Sequence, residues 1–207
     1  MPIEDIRPLK AKMREEFKSW RRNLSPENKA SMDKAIFDKV TGLWQYRQSD
    51  LVLTYVSTAI EVDTTAIIRQ ALADGKRVAV PRCIPGTRLM EFYYISSLEE
   101  LEPGTFGVLE PKPDPANMVT DFSKGLCLVP ALCYDWRGYR LGYGKGYYDR
   151  FLANFGGYMV GICYSHCIKK SLLHGRFDRP VELLVTERYL RRTDRRISNR
   201  THSNSPR

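Results

Sequence analysis

The sequence predicts an α/β fold, a three-layer sandwich in which helices cover both faces of a mostly parallel central sheet. Apolar runs of strand length alternate along the chain with segments of helical periodicity, which is typical of parallel βαβ units. Several runs, such as LVLTYV at 51–56, are apolar nearly throughout, as expected of strands buried on both faces. The 207 residues contain no internal repeat. We therefore expect a single domain over residues 1–190.

Two helices are predicted at the N-terminus. The apolar stripe of the first recurs at four- and three-residue steps: Leu9, Met13, Phe17, Trp20 and Leu24. A row of cations follows the same spacing on the neighbouring face: Lys10, Arg14, Lys18 and Arg21. Such a row is usually a solvated face. Ser25, Pro26 and Glu27 supply an N-cap, an N1 proline and an early acid, which predict a second helix through about Val40.

The remaining elements follow from apolar runs and their flanking residues. Strands are predicted at 51–56, 77–83, 91–95, 126–132, 159–164 and 182–186. Asp63 and Thr64 cap a helix that ends near Gly75, and another helical pattern starts at Tyr147. The connection 101–121 contains four prolines, which we expect to stiffen it and exclude regular structure. A connection of this length is typical of a functional loop or a linker.

The net charge of +9 is concentrated at the C-terminus. Residues 188–207 contain seven arginines and one aspartate, so residues 1–187 have a net charge of only +3. The last residues are also poor in apolar side chains, and we expect 191–207 to be a basic, disordered tail. A mildly basic body suits small polyanionic ligands, and no nucleic-acid partner is expected. The alternative is a non-catalytic nucleotide- or RNA-binding protein that uses the first helix and the arginine tail.

The cysteine count and the hydrophobic pattern predict a cytoplasmic protein. The five cysteines are an odd number, and Cys163 and Cys167 lack the second pair that a zinc site of usual spacing requires. Reduced, buried thiols are the better interpretation. The N-terminus has no hydrophobic signal region, and no apolar run approaches the length of a membrane span. We expect no membrane partner and a monomer.

The most informative segment is a glycine-rich loop, RLGYGKGYYD at 140–149. It lies between an apolar strand and a helical pattern, so its backbone N–H groups and cations suit an anion. A P-loop would need glycine at Tyr139 and Ser or Thr at Gly146, and a dinucleotide fingerprint would need glycine at Tyr147. A glycine-rich turn with a basic rim is the alternative, but the adjacent tyrosines and Asp149 favour a triphosphate-binding loop.

This loop resembles the signature of the 5-formyltetrahydrofolate cyclo-ligases, also called 5,10-methenyltetrahydrofolate synthetases. That family has an apolar strand ending in Asp, followed by Gly-x-Arg-Leu-Gly-x-Gly-x-Gly-Tyr-Tyr-Asp. The matching residues are Asp135, Gly138, Arg140, Leu141, Gly142, Gly144, Gly146, Tyr147, Tyr148 and Asp149. The resemblance extends thinly from about residue 10 to 187. It implies a three-layer α/β fold and ATP as co-substrate.

The resemblance also implies an ATP site. An early Lys-x-x-x-Arg on the family's first helix reaches the nucleotide phosphates, and Lys10 and Arg14 match it, whereas Lys18 and Arg21 have no assigned role. The expected ATP-binding residues are Lys10, Arg14, Arg140, Leu141, Gly142, Tyr143, Gly144, Lys145, Gly146, Tyr147 and Tyr148. Catalytic roles are expected for Arg140, Lys145 and Tyr147, which would neutralise charge on the transferred group and lie between the two substrates.

For the folate and the metal, the resemblance implies residues from distant parts of the chain. Val56, Glu61 and Tyr147 are expected to bind the folate, and Asp149 and Asp178 to hold Mg²⁺. Glu182 stands where the family has a second aspartate, so its role stays open. The family's Phe-Gly-x-x-Glu-Pro segment beside the folate matches Phe106, Gly107, Glu110 and Pro111. Phe106 could equally fill the core.

The activity implied is the ATP- and Mg²⁺-dependent cyclisation of 5-formyltetrahydrofolate to 5,10-methenyltetrahydrofolate, with release of ADP and phosphate. The formyl oxygen is itself the nucleophile toward the γ-phosphate. No strong protein base is therefore required for the first step, and alignment and charge neutralisation are the expected contributions of the protein.

Overall fold

The computed structural model describes residues 6–175 and 178–193, apart from the side chain of Phe106. Its α-helices are α1 Arg7–Arg22, α2 Pro26–Gly42, α3 Trp44–Gln48, α4 Thr65–Ala73 and α5 Tyr147–Ala153. Its strands are β1 Leu51–Leu53, β2 Arg77–Cys83, β3 Met90–Ile95, β4 Glu102–Pro103, β5 Leu109–Glu110, β6 Leu126–Pro130, β7 Cys133–Asp135, β8 Arg140–Leu141, β9 Tyr158–Ile162, β10 Ile168–Lys169, β11 Leu183–Val185 and β12 Leu190–Arg192.

The described residues form a seven-stranded central sheet in the order β12-β11-β9-β6-β1-β2-β3. The five inner strands β11, β9, β6, β1 and β2 are parallel to one another, and the edge strands β12 and β3 pair antiparallel with β11 and β2. Every residue of β1 and β11 is buried, as are the first four of β6. Because successive strand residues point to opposite faces, both faces of the sheet are covered, and the predicted α/β sandwich is confirmed.

The predicted helix starts agree with the local capping contacts. The Ser25 hydroxyl accepts a hydrogen bond from the backbone N–H of Asn28 at 3.2 Å, which caps α2. Asp63 Oδ1 accepts from Thr65 N at 2.8 Å at the start of α4. On α1, Phe17 of the predicted stripe is buried, and Trp20 stacks on His166 with ring centroids 4.3 Å apart. The apolar stripe of α1 therefore packs inward around Phe17 as the periodicity predicts, whereas Leu9, at the start of the stripe, is 50% exposed.

Arg21 is buried, whereas the cations of such a charged row are usually exposed to solvent. It is only 3% exposed, and its guanidinium donates to the carbonyl oxygens of Ala131 at 2.7 Å and Leu132 at 3.0 Å. A third contact reaches the carbonyl of Ile60 at 3.3 Å. Arg21 thus ties α1 to the end of β6, because its spacing on the helix brings it toward the core while its long side chain reaches main-chain acceptors.

Two predictions about the middle of the chain are wrong in detail. The predicted strand 126–132 ends at Pro130, and the chain leaves the central sheet because Leu132 N–H bonds to Leu141 O at 2.9 Å. A second sheet then forms in the order β10-β7-β8. The connection 101–121 is also not irregular throughout, since β4 and β5 pair antiparallel within it. Its prolines lie at strand ends or outside the strands, where no ladder N–H is lost.

The C-terminal part of the described chain adds an edge strand that the sequence did not predict. Strand β12 pairs with β11, and Thr193 N donates to Glu182 O at 3.0 Å. Residues 191 and 192 of the predicted tail belong to this strand, so a disordered tail does not begin directly after residue 190. Residues 194–207 lie outside the described residues, and for them the tail stays a prediction. Within the described ranges, no helix is long and apolar enough to cross a membrane. All five cysteines are free thiols, and all but Cys83 are buried.

Candidate active site

A cavity of about 550 Å³ lies at the carboxyl ends of the parallel strands β1, β2 and β6. Open α/β sheets bind ligands at this edge. The structure brings together here every residue predicted to bind ATP, folate or metal: Lys10, Arg14, Val56, Glu61, Arg140, Leu141, Gly142, Tyr143, Gly144, Lys145, Gly146, Tyr147, Tyr148, Asp149 and Asp178. Their convergence in one space makes this cavity the candidate active site, although their individual roles stay predictions.

The glycine loop between β8 and α5 forms one wall of the cavity. Gly146 has a φ of +76° and directly precedes α5, a conformation that side chains other than glycine rarely adopt. Gly144 has a φ of +96°, and a Cβ added there would lie 3.1 Å from Cζ of Arg14. The main chain can therefore turn sharply and pass close to the Arg14 guanidinium, as the positive φ of both glycines allows.

Helix α1 supplies the cations opposite this loop. Lys10, Arg14 and Lys18 line the cavity, and Arg14 Nε donates to the carbonyl oxygen of Gly142 at 2.9 Å. This hydrogen bond fixes the loop against the helix and places the guanidinium beside the predicted phosphate position. Lys18 was not assigned a role from the sequence, but its spacing of one helical turn from Arg14 is the signal that could have identified it.

The two predicted metal ligands lie in the same cavity but have different partners. Asp149, 43% exposed, forms an ion pair with Arg140, whose side chain is only 4% exposed. Arg140 also donates to the carbonyl oxygen of Arg179 at 3.1 Å. Asp178 accepts a hydrogen bond from Gly175 N at 2.9 Å. Arg140 therefore orients Asp149 in this structure, while its predicted contact with phosphate is untested.

The donor set suits Mg²⁺ but not an ion that requires an all-protein cage. Among the described residues, no group of three or more His, Cys, Asp or Glu side chains could hold a metal. Two carboxylates together with phosphate oxygens and water are sufficient for Mg²⁺. Glu182, whose role the sequence left open, is not among the residues that line the cavity. Its Oε2 accepts a hydrogen bond from Met159 N at 2.9 Å.

The other side of the cavity is less basic. Glu61 is only 7% exposed, and its Oε2 accepts hydrogen bonds from Thr58 N at 2.8 Å and Thr58 Oγ1 at 2.9 Å. The hydroxyl of Tyr147 donates to the carbonyl oxygen of Thr87 at 3.4 Å, which places its ring beside the β2–β3 turn. The buried hydroxyl of Tyr148 has no hydrogen-bond partner among the described residues. A ligand in the cavity could satisfy it.

Two further residues line this side of the cavity: Glu110, which belongs to the segment that the resemblance places beside the folate, and Cys83, which was not predicted to bind a ligand. Glu110 is buried and its Oε1 accepts from Cys83 N at 3.3 Å. Burial, together with the negative charge of Glu110, raises the pKa of the Cys83 thiol to about 11, so this thiol is protonated at neutral pH. Glu110 belongs to the Phe-Gly-x-x-Glu-Pro match, whereas only the position of Cys83 at the carboxyl end of β2 could have indicated it.

Substituting Gly144 by alanine is expected to weaken the binding of a non-hydrolysable ATP analogue by roughly tenfold, measured by isothermal titration calorimetry. The substitution forces a positive φ on alanine and displaces the Arg14 guanidinium. Gly75→Ala is the matched comparison, because it also forces a positive φ on alanine, but Gly75 follows α4 outside the cavity and a Cβ there meets nothing within 4 Å. Equal losses in the two variants would contradict this account of the loop.

Comparison with known proteins assigns the family. The model of the 5-formyltetrahydrofolate cyclo-ligase family matches residues 7–187. The mouse 5-formyltetrahydrofolate cyclo-ligase is 30% identical over 157 residues, which cover 73% of this chain and 77% of the mouse protein. A probable 5-formyltetrahydrofolate cyclo-ligase of Caenorhabditis elegans is 29% identical over 154 residues, covering 72% and 74% of the two chains.

Solved structures agree with this assignment. The solution structure of Aquifex aeolicus 5,10-methenyltetrahydrofolate synthetase superposes with a TM-score of 0.77 at 32% sequence identity, covering 94% of this chain and 97% of the other. A 5,10-methenyltetrahydrofolate synthetase from Mycoplasma pneumoniae shares the fold, with a TM-score of 0.66 at 22% identity. With its glycine loop, basic first helix and carboxylates converging on one cavity, the chain belongs to the 5-formyltetrahydrofolate cyclo-ligase family of ligases.

Proposed function

We propose that this chain uses ATP and Mg²⁺ to cyclise 5-formyltetrahydrofolate to 5,10-methenyltetrahydrofolate, releasing ADP and phosphate. The observation that supports this most directly is the single cavity that joins two chemically different walls. The glycine loop and the α1 cations form a wall for a polyanion, and Val56, Glu61 and Tyr147 line the remainder. A reaction between two substrates requires such a shared space, in which the reacting atoms can be aligned.

The chemistry requires a phosphoryl transfer followed by ring closure. The formyl oxygen attacks the γ-phosphorus, the bond to the β-phosphate oxygen breaks, and ADP leaves. The 10-nitrogen then bonds to the formyl carbon and loses its proton. The phosphorylated oxygen departs as inorganic phosphate, and the methenyl bridge remains. The phosphoryl transfer and the departure of phosphate both move negative charge among phosphate oxygens, so fixed positive groups are the main catalytic requirement.

The residues of this chain can meet that requirement. We assign Lys10, Arg14 and Lys145 to the phosphate oxygens, with backbone N–H groups of the glycine loop as further donors. We also assign Arg140 to the phosphate oxygens, and its ion pair with Asp149 holds that carboxylate in place. Asp149 and Asp178 would hold Mg²⁺, which when bound neutralises part of the triphosphate charge.

The proposed reaction is tested by mixing the protein with 5-formyltetrahydrofolate, ATP and Mg²⁺ and following the near-ultraviolet absorbance of the methenyl product. Absence of product would refute the proposal. The non-catalytic alternative is tested by truncation after Thr193, which keeps strand β12 and its contact with Glu182. Turnover that is unchanged by removal of residues 194–207 would argue against a function centred on the arginine tail.

Asp149→Asn is expected to raise the Mg²⁺ concentration that gives half-maximal turnover by roughly tenfold or more, because the neutral amide is a weaker ligand. The measurement is a Mg²⁺ titration at saturating ATP, with Asp178→Asn tested in parallel. Asp38→Asn is the control, since Asp38 is an exposed partner of Lys34 on α2. If neither Asp149→Asn nor Asp178→Asn changes the titration, these carboxylates do not hold the metal.

A further inference from the structure

The segment that carries Glu61 into the cavity has no regular structure of its own. Residues 54–64, here called the Glu61 loop, connect β1 to α4 without forming a helix or a strand. Val56, Thr58 and Glu61 of this loop line the cavity. The hydrogen bonds from Thr58 fix the Glu61 carboxylate relative to the loop. The loop lacks the backbone hydrogen-bond ladder of a helix or strand, so its position depends on contacts with other elements.

Two side chains that do not line the cavity make such contacts with the backbone of the Glu61 loop. The Tyr164 hydroxyl donates to Asp33 Oδ1 at 2.8 Å and to the carbonyl oxygen of Glu61 at 3.2 Å, so its one proton is shared between two acceptors. Asp33 Oδ1 also accepts a hydrogen bond from the backbone N–H of Asp63 at 3.3 Å. Tyr164 and Asp33 together therefore hold the main chain at Glu61 and at Asp63.

Both side chains are themselves fixed by neighbouring elements. Tyr164 is fully buried, and its ring lies 5.8 Å from the ring of Trp20 and 5.5 Å from the guanidinium of Arg21, both on α1. Burial, and then the negative charge of Asp33, raise the pKa of Tyr164, so its hydroxyl keeps its proton and stays a donor. On α2, Lys29 Nζ pairs with Asp33 Oδ2 at 2.6 Å, which leaves Oδ1 to Tyr164 and the loop.

A phenylalanine at position 164 would fill the same space without a polar atom, so packing alone does not require the hydroxyl. A buried polar network whose members are all partnered favours one geometry over its alternatives. We propose that Tyr164 is a positioning residue for folate binding, which through Asp33 and the Glu61 carbonyl fixes the backbone of the Glu61 loop and thereby the direction of the Glu61 carboxylate in the cavity. This inference rests on the proposed function for the identity of the ligand.

The test measures the binding of each ligand separately, so it does not depend on turnover. Dissociation constants for 5-formyltetrahydrofolate, and for adenylyl imidodiphosphate with Mg²⁺, are measured by calorimetry for the wild type, Tyr164→Phe, Glu61→Gln and the double variant. Phenylalanine keeps the ring but removes the hydroxyl. We expect Tyr164→Phe to weaken folate binding by roughly tenfold and binding of the ATP analogue by less than about twofold. In the double variant, the loss of the hydroxyl should add little to the effect of Glu61→Gln.

Tyr46→Phe is the matched control. Tyr46 is also buried and donates to an aspartate, Asp74 Oδ2 at 2.7 Å, but this aspartate lies at the opposite end of α4 from the Glu61 loop. The two Tyr→Phe variants should have similar decreases in unfolding temperature, and Tyr46→Phe should bind both ligands as the wild type does.

The inference is overturned if Tyr164→Phe binds the folate as tightly as the wild type, or if it loses affinity for both ligands equally. It is also overturned if Tyr46→Phe has the same loss, or if the loss from Tyr164→Phe persists in full in the Glu61→Gln background. A wild type that binds both ligands but forms no methenyl product would refute the proposed reaction. The selective loss of folate affinity in Tyr164→Phe would still support the role of Tyr164 in that case.

Discussion

Replacing Lys145 by alanine is expected to lower the rate of methenyl product formation by roughly 100- to 1000-fold. Lys145 is an exposed residue of the glycine loop and lines the cavity. A compact ammonium in this position would neutralise charge that develops on the transferred phosphoryl group, and alanine cannot replace that charge. The measurement is single-turnover absorbance at saturating ATP and folate, which separates the chemical step from binding.

A matched control separates this effect from the general loss of one positive charge. Lys124 is also exposed, and it lies just before β6, at the end of the strand opposite the cavity. Lys124→Ala should keep the wild-type rate, and the unfolding temperatures of both variants should stay close to that of the wild type. A Lys145→Ala protein with full turnover would remove this residue from the catalytic assignment.

Replacing Arg21 by methionine is expected to destabilise the fold by about 3 kcal/mol, a decrease of roughly 6 to 12 °C in unfolding temperature for a chain of this size. Methionine keeps much of the apolar stem but donates no hydrogen bonds. The carbonyl oxygens of Ala131, Leu132 and Ile60 would each lose a donor. Thermal denaturation followed by circular dichroism measures the change.

The neighbouring Arg22 provides the control for this prediction. Its ion pair with Glu15 at 2.9 Å is formed by two largely exposed side chains, and such pairs contribute little. Arg22→Met should therefore change the free energy of unfolding by no more than about 0.5 kcal/mol. If the two variants had equal stability, the buried contacts of Arg21 would not be a significant part of the link between α1 and the core.

The strongest sequence signals concerned elements whose pattern is local. The spacing of apolar residues on α1, the Ser25 cap of α2 and the apolar run of β2 each predicted an element that the structure contains. These features depend on periodicity and on capping hydrogen bonds within a few residues, and so they can be interpreted without knowledge of the rest of the chain. The two-residue strands β4 and β5 have no such period and were missed.

In the candidate site, too, the sequence predicted some features and missed others. The family motif identified residues from four separate segments, and the structure brings all of them to one cavity. It did not indicate that Arg140 would be buried and would form an ion pair with Asp149. Lys18 and Arg21 have equivalent positions in the cation row, yet one lines the cavity and the other is buried. The difference depends on what lies opposite each side chain.

The sequence by itself therefore determined the class of fold, the family and the motif residues that meet at the carboxyl edge of the sheet, because strand and helix periods and a long motif are local properties of the chain. Only the tertiary structure decided which partner each charged side chain has. Partner choice depends on distances between segments that are far apart in sequence, such as Arg14 to Gly142 at 2.9 Å, and on the burial that makes each such contact strong or weak.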